Sequence, residues 1–197
     1  LVADDHALMR EGLKSLLEKD EGLRVVAEAR DGREAARLVA ELRPDVVIMD
    51  VGMPELNGIE ATRKVLEASP GSRVIALSMH AERRLIMEAL RAGASAYVLK
   101  LSAFDELRQA VQAVLQGHRY LSPAITDVVL DGVIGEHHAD GTAFTTLSPR
   151  EREVLQLLAE GSGSKQIAER LGISPRTVDV HRKNIMDKLE MYSVAEL

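Results

Sequence analysis

The sequence contains no cysteine and no tryptophan, and aromatic residues make up only 3% of its 197 positions. Without cysteine there is no disulfide scaffold, no thiol chemistry and no cysteine-based zinc site, which fits a reducing, cytoplasmic setting. So few aromatics require aliphatic cores, and they argue against an aromatic ligand cage or a base-stacking platform. No apolar run approaches the ~18 residues that a membrane span needs, so no membrane partner is expected. No secretory signal is visible. What remains is ordinary globular composition, 46% hydrophobic and 28% charged, at a length that suits one large domain or two small ones. The chain opens on Leu1 with Val2 and Ala3 already strand-like, so the natural N-terminus is expected to lie upstream.

The net charge of −6 is unevenly spread. Residues 1–120 carry a net of −2, residues 121–146 a net of −4 with no Lys or Arg, and residues 147–197 a net of 0. An acidic chain discourages a nucleic-acid reading, but binding depends on the charge of one face rather than on the total.

Residues 1–117 alternate short apolar runs with amphipathic stretches. The runs Leu1–Asp4, Arg24–Glu28, Val46–Asp50, Val74–Ser78 and Ala96–Lys100 read as buried parallel strands. Helical patterns follow each of them, at Ala7–Leu17, Asp31–Leu42, Glu60–Ala68, Glu82–Ala92 and Phe104–Leu115. Strand–helix repetition predicts an α/β doubly wound five-stranded parallel sheet with helices on both faces. From Tyr120 the pattern weakens, with a possible short helix at Pro123–Leu130 and a linker at Gly135–Gly141. Residues 147–197 look entirely helical. Ser148-Pro149-Arg150-Glu151 is a strong helix start, Gly161 and Gly172 are stops, and a third helix begins at Ser174-Pro175. A fourth begins near Ser193 and is cut off at Leu197.

The polar residues at the strand ends are the informative ones. Asp4 ends the first strand, followed by Asp5; Asp50 ends the third, Ser78 the fourth and Lys100 the fifth. Ligands of open α/β sheets bind outside the carboxyl ends of the strands. Carboxylates gathered there repel one another, by about 4 kcal/mol for two charges 4 Å apart at an effective dielectric of 20. A cation must offset this, and an open all-oxygen site suits Mg²⁺. Mg²⁺ beside a carboxylate points to phosphoryl transfer onto that carboxylate, with Lys100 and the Ser78 hydroxyl holding phosphoryl oxygens. Each residue has a plainer reading. Ser78 can cap the helix near Ala81, Tyr97 can be ordinary core, and His80 can be a solvated loop residue. His6 is expected at a helix start, and the linker pair His137-His138 lacks further ligands at metal spacing.

Asp4-Asp5, Asp50-Val51-Gly52-Met53-Pro54 with Gly58, Ser78, and Tyr97-Val98-Leu99-Lys100 together resemble the receiver domain of two-component response regulators, over residues 1 to about 117. The resemblance implies strand order 2-1-3-4-5 and Asp50 as phosphoacceptor, charged by a sensor histidine kinase. It implies Mg²⁺ on Asp5, Asp50 and the Gly52 backbone carbonyl, with Asp4 assisting through water. Ser78 and Lys100 would sense the phosphoryl group, and Tyr97 would be a switch that turns inward. Leu101 departs from the Pro that many receivers carry there; a cis bond before a non-proline residue costs about 3–4 kcal/mol.

In the C-terminal part, the turn Gly172-Ile173-Ser174 separates two helices as in a helix-turn-helix. Arg176, Asp179, Val180, Lys183 and Asp187 form one stripe opposite Val178, Ile185 and Leu189. That stripe is the face that would enter a major groove, while Ser174 and Thr177 at the helix start can bond phosphate. The plainer reading is a solvated face of mixed charge. Leu147 to Leu155, Lys165-Gln166-Ile167-Ala168, Thr177-Val178 with His181, and Ile185 to Leu189 resemble the LuxR-type DNA-binding domain. Joined to a receiver, this is similar to the NarL/FixJ-type response regulators. The resemblance implies base contacts from Asp179, Val180 and Lys183, and phosphate or supporting contacts from Arg176, Thr177, His181, Lys165 and Arg182. Asp179 departs from the basic residue some relatives carry; an acid there can accept from cytosine N4 or repel phosphate.

The organisation expected is a receiver at 1–119, a linker with a short helix at 120–146, and a small all-α helix-turn-helix domain at 147–197. The function expected is that of a transcription regulator, not an enzyme, with promoter DNA, a histidine kinase and a second copy of itself as partners. Phosphorylation would shift it to an open, dimer-competent state. One rival is a phosphate-independent regulator that uses the receiver for dimerisation. The other is a Mg²⁺-dependent phosphohydrolase, disfavoured because position 52 is Gly where such enzymes carry a second acid.

Overall fold

The computed structural model describes residues 1–134 and 147–189. The chain divides into two compact units, with the division between Glu136 and His137. The Gly135–Gly141 linker with His137-His138, and the fourth helix near Ser193, lie outside the described residues.

In the first unit the strands are β1 (Val2–Ala3), β2 (Glu28–Ala29), β3 (Val46–Asp50), β4 (Arg73–Ser78), β5 (Ala96–Leu99) and β6 (Tyr120–Leu121). The helices are α1 (Ala7–Leu17), α2 (Gly32–Leu42), α3 (Gly58–Ala68), α4 (Arg83–Arg91), α5 (Ala103–Leu115) and α6 (Pro123–Ile134). All strands pair in parallel in the order β2-β1-β3-β4-β5-β6. The expected order of the first five holds, and a sixth strand extends the edge.

The alternation of side chains along each strand sorts the core. Ile48, Ile75, Leu77 and Val98 face α1 and α5, meeting Leu13 and Leu107. Val47, Met49 and Val74 face the other way onto α2 and α3, meeting Val39 and Val65. On that second face Ala76 and Tyr97 pack with Ile86 of α4 and Ile125 of α6. Caps set the helix starts. Asp31 accepts from the backbone N–H groups of Arg33 and Glu34 at 2.9 and 2.8 Å, and Asn57 from that of Glu60 at 3.0 Å.

Two regions differ from expectation. Of the run Arg24–Glu28 only Glu28 is strand, and the strand continues to Ala29. Val2 pairs with Glu28, so Arg24–Val26 lie beyond the ladder of β1, and Val26 is 50% exposed. At the other end, β6 and α6 belong to the sheet unit. Ser122 is buried, its N–H donates to the Tyr97 carbonyl over 3.0 Å, and Ile125 is core. The chain from Tyr120 through α6 thus falls within the first unit.

The second unit has α7 (Pro149–Ala159), α8 (Ser164–Leu171) and α9 (Pro175–Leu189) around Val154, Leu157, Ile167, Leu171, Val178 and Ile185. The capping box read from Ser148 and Glu151 is formed, with Ser148 N–H donating to Glu151 Oε2 over 2.7 Å and Glu151 N–H to Ser148 Oγ over 3.3 Å. Gly172 ends α8 in the left-handed region at φ 64°, which reverses the chain into α9.

Candidate functional site: an acidic pocket and a solvent-facing helix

Strand register assembles the pocket. Ala3 pairs with Met49, so Asp4 and Asp50 leave the sheet side by side. Asp50 pairs with Leu77 and Ser78 with Leu99, which puts Ser78 and Lys100 at the same edge. Gly58 lets the β3 end lie against the start of α3, because a Cβ there would stand 2.0 Å from the Asp50 carbonyl oxygen.

Asp4, Asp50 and Lys100 are buried. Lys100 Nζ lies 2.7 Å from Asp50 Oδ2 and 2.8 Å from Asp4 Oδ2, bridging both carboxylates. The other oxygens are held by backbone: Gly52 N–H donates to Asp50 Oδ1 over 3.0 Å, and His6 N–H to Asp4 Oδ1 over 2.8 Å. Asp5 is more exposed and meets the His6 imidazole, Nδ1 to Oδ1 2.8 Å. Burial raises the pKa of Asp50; Lys100 and the Gly52 amide oppose the rise, and the charge of Asp4 adds to it. Burial alone would lower the pKa of Lys100, but its bonds to the two carboxylates prevail and raise it. Lys100 is shared by Asp4 and Asp50 and Asp5 meets His6 instead, so carboxylates outnumber the one ammonium in the pocket.

Ligand atoms of Asp4, Asp5, His6 and Asp50 all lie within 4.8 Å of one another. Oxygen donors, surplus charge and one exposed side suit a hard divalent cation.

The remaining pocket residues are tied by a loop. Ser78 Oγ accepts from His80 N–H over 3.0 Å, and the Tyr97 hydroxyl donates to the His80 carbonyl over 2.8 Å. Ser78 therefore closes a local turn rather than capping α4, which starts at Arg83. His80 takes part through its backbone. Tyr97 is fully buried. His6 precedes α1 as expected but makes no side-chain cap. Every peptide bond of the described residues is trans, that before Leu101 included.

The second unit presents α9. Arg176, Asp179, Val180 and Lys183 are exposed, and Thr177, His181 and Arg182 are half-buried. Ser174 caps the helix, accepting from Thr177 N–H over 3.1 Å, and the two hydroxyls meet at 2.8 Å. Lys165 is exposed on α8. Beneath, Lys188 Nζ lies 2.6 Å from the buried Glu151 Oε2.

Sequence reasoning did not foresee the Asp4–Lys100 bridge, the Glu151–Lys188 pair or the anchoring of Ser122. Ser122 also accepts from Leu99 N–H over 3.1 Å and donates to Glu106. For Ser122 a signal exists: Ser-Pro opens α6 as it opens α7 and α9. The two ion pairs join residues far apart in sequence and leave no local trace.

Residues 1–112 match the response regulator receiver domain family. Residues 145–197 match the bacterial regulatory proteins of the luxR family. The chain belongs to the NarL/FixJ-type response regulators. It is a DNA-binding two-component response regulator. The oxygen regulatory protein NreC of Staphylococcus haemolyticus is 39% identical over 202 residues, covering 100% of this chain and 93% of that protein. A LuxR-family two-component response regulator from Aurantimonas superposes with a TM-score of 0.65 at 41% identity, over 68% of this chain and 95% of that one. RcsB of Salmonella typhimurium superposes with a TM-score of 0.62 at 28% identity, over 98% of this chain and 91% of that one. RcsB is also solved as two dimers bound to two parallel DNAs, with a TM-score of 0.63 at 27% identity over 98% of this regulator and 91% of that chain. Among the described residues no helix of this regulator is long and apolar enough to cross a membrane.

Proposed function

We propose that this regulator accepts a phosphoryl group on Asp50 from a sensor histidine kinase and then binds promoter DNA as a dimer. The observation that carries the proposal is the buried Asp50 carboxylate at the end of β3, 2.7 Å from Lys100 in a pocket with surplus negative charge. The P–N bond to the kinase imidazole breaks as a P–O bond forms to Asp50, and the leaving imidazole takes up a proton. Asp5, Asp50 and the Gly52 carbonyl would hold Mg²⁺, with Asp4 acting through water. Bound there, the ion would neutralise the phosphoryl oxygens. Lys100 would move from its carboxylates onto a phosphoryl oxygen, and Ser78 would bond another. The His80 loop, held by Ser78 and Tyr97, is the element whose two arrangements the phosphoryl group would bias. No general base is needed, because the nucleophile is already a carboxylate.

On the DNA side the proposal takes α9 into the major groove. Asp179, Val180 and Lys183 would face base edges, and Ser174, Arg176, Thr177, His181, Arg182 and Lys165 would meet phosphates or support the helix. RcsB, bound to DNA as dimers, supports the comparison. A cytoplasmic location goes with such a role, and the receiver catalyses only its own phosphotransfer and phosphate loss.

The test is incubation of wild type and Asp50→Asn with a small phosphodonor and Mg²⁺. Wild type is expected to gain one phosphoryl group and to bind DNA more tightly. Persistent incorporation in the variant overturns the acceptor assignment. Phosphorylation without any change in DNA affinity overturns the coupling and favours a phosphate-independent regulator.

A further inference from the structure

The exposed strip of α9 carries an acid where the proposed function brings phosphate-rich DNA close. Asp179 stands one turn before Lys183 on the same face, in the first half of the helix, and its side chain is 63% exposed. A carboxylate so placed is repelled by phosphates unless something holds and offsets it.

The structure contains that offset. Ser164 Oγ, at the start of α8, donates to Asp179 Oδ1 over 3.0 Å. Arg182 Nη1 donates to the same Ser164 Oγ over 2.8 Å and lies 3.9 Å from Asp179 Oδ1. Ser164 thus fixes the carboxylate by one oxygen, and Arg182 places a guanidinium beside it. Among the described residues Asp179 Oδ2 has no partner. It is an acceptor without a donor, on a face that also presents Arg176, Val180 and Lys183.

We infer that Asp179 is a specificity-determining residue whose carboxylate accepts from the N4 amine of a cytosine in the major groove. The inference rests on the reading of α9 as the groove-entering helix. The choice of base follows from what each base shows there. Cytosine offers a donor with no acceptor beside it on the same base. Adenine offers the N6 donor, but its N7 acceptor stands next to it and repels a carboxylate. Guanine shows two acceptors, and thymine an acceptor and a methyl group. The order is therefore cytosine, then adenine, then thymine and guanine. Ser164 is a positioning residue in this account: it touches no base and acts by fixing the carboxylate.

The experiment is selection from a randomised duplex library by the full-length protein, activated with phosphodonor, at one stated salt concentration. Wild type is expected to select cytosine at one position of each half-site, by about tenfold over guanine. Asp179→Ala should flatten that position alone. Asp179→Asn should move it to adenine, because an amide pairs with N6 and N7 together. Ser164→Ala should keep cytosine with smaller discrimination. One consensus shared by wild type, Asp179→Ala and Asp179→Asn overturns the inference while leaving groove reading intact. A uniform loss of affinity with no change at any one base also overturns it, and reduces Asp179 to a tie between α8 and α9. If wild type selects no consensus, the groove-reading assignment fails, and this inference fails with it.

Discussion

Two buried carboxylates, one in each unit, meet a lysine ammonium at nearly the same distance, yet their acidities move in opposite directions. Asp50 lies 2.7 Å from Lys100 and its pKa is raised; Glu151 lies 2.6 Å from Lys188 and its pKa is lowered. Burial is the largest influence on both, and it opposes ionisation in both. The difference lies in the company. Lys100 is shared with Asp4, whose charge works against Asp50, and only one backbone amide helps. At Glu151, Lys188 and both groups of the Ser148 cap act together and outweigh burial. A structural ion pair is balanced within itself. Among the described residues the Asp50 pocket gathers three carboxylates about one ammonium, as the proposed site for a cation and a phosphoryl group requires.

That contrast breaks most visibly at the lysines. Lys100 is only 7% exposed, so Lys100→Met leaves two buried acids without a counter-ion. It should lower the unfolding free energy by about 3 kcal/mol, read by denaturant titration, and millimolar Mg²⁺ should restore much of the loss. An unchanged midpoint would show that the pocket is not charge-strained. The glycine next to the site is nearly as sensitive. Gly58→Ala drives a Cβ onto the Asp50 carbonyl and should cost about 3 kcal/mol with phosphate uptake impaired. Gly172→Ala meets nothing within 4 Å and suffers only from its positive φ, so about 1 kcal/mol is expected. In the balanced pair the loss is smaller. Lys188 is 38% exposed and can turn to water, so Glu151→Ala should cost about 1–2 kcal/mol, mainly through the lost cap. Because the Glu151 pKa is lowered on folding, that contribution is present above its unfolded pKa and fades as pH falls through the folded one.

Most of the pocket was legible because its residues terminate strands. Val46–Asp50 is a run of apolar residues ending in an acid, and the same holds for the strand before Asp5 and, with Ser78, for β4. Such runs state both the element and the place of its polar end. The helix boundaries were legible from Asp31, Ser148-Pro149 and Gly172. The run Arg24–Val26 misled because apolar composition does not say whether a neighbouring strand extends far enough to pair with it. The sixth strand was missed because Tyr120-Leu121 is too short to show a period. What holds Lys100 to Asp4, or Asp179 to Ser164, depends on distances set by the whole fold, and neither pairing has a local pattern.

A small effect at Asp50 sharpens the comparison furthest, because it has the unusual sign. A raised carboxyl pKa means that folding opposes ionisation of Asp50. The stability linked to Asp50 is fully present below its unfolded pKa and is lost as pH rises through the folded value. At neutral pH the ionised, desolvated Asp50 therefore costs stability. Asp50→Asn removes that cost while Lys100 keeps Asp4 as partner. The variant should be more stable than wild type by about 1 kcal/mol at pH 7 without divalent cation, and the gain should vanish as pH falls toward 4. Thermal melts across that range read it directly. Glu151→Gln must move the other way, losing stability at pH 7 and converging on wild type in acid. If both variants shift stability in the same direction at pH 7, the distinction between a balanced pair and a pocket with surplus charge does not hold.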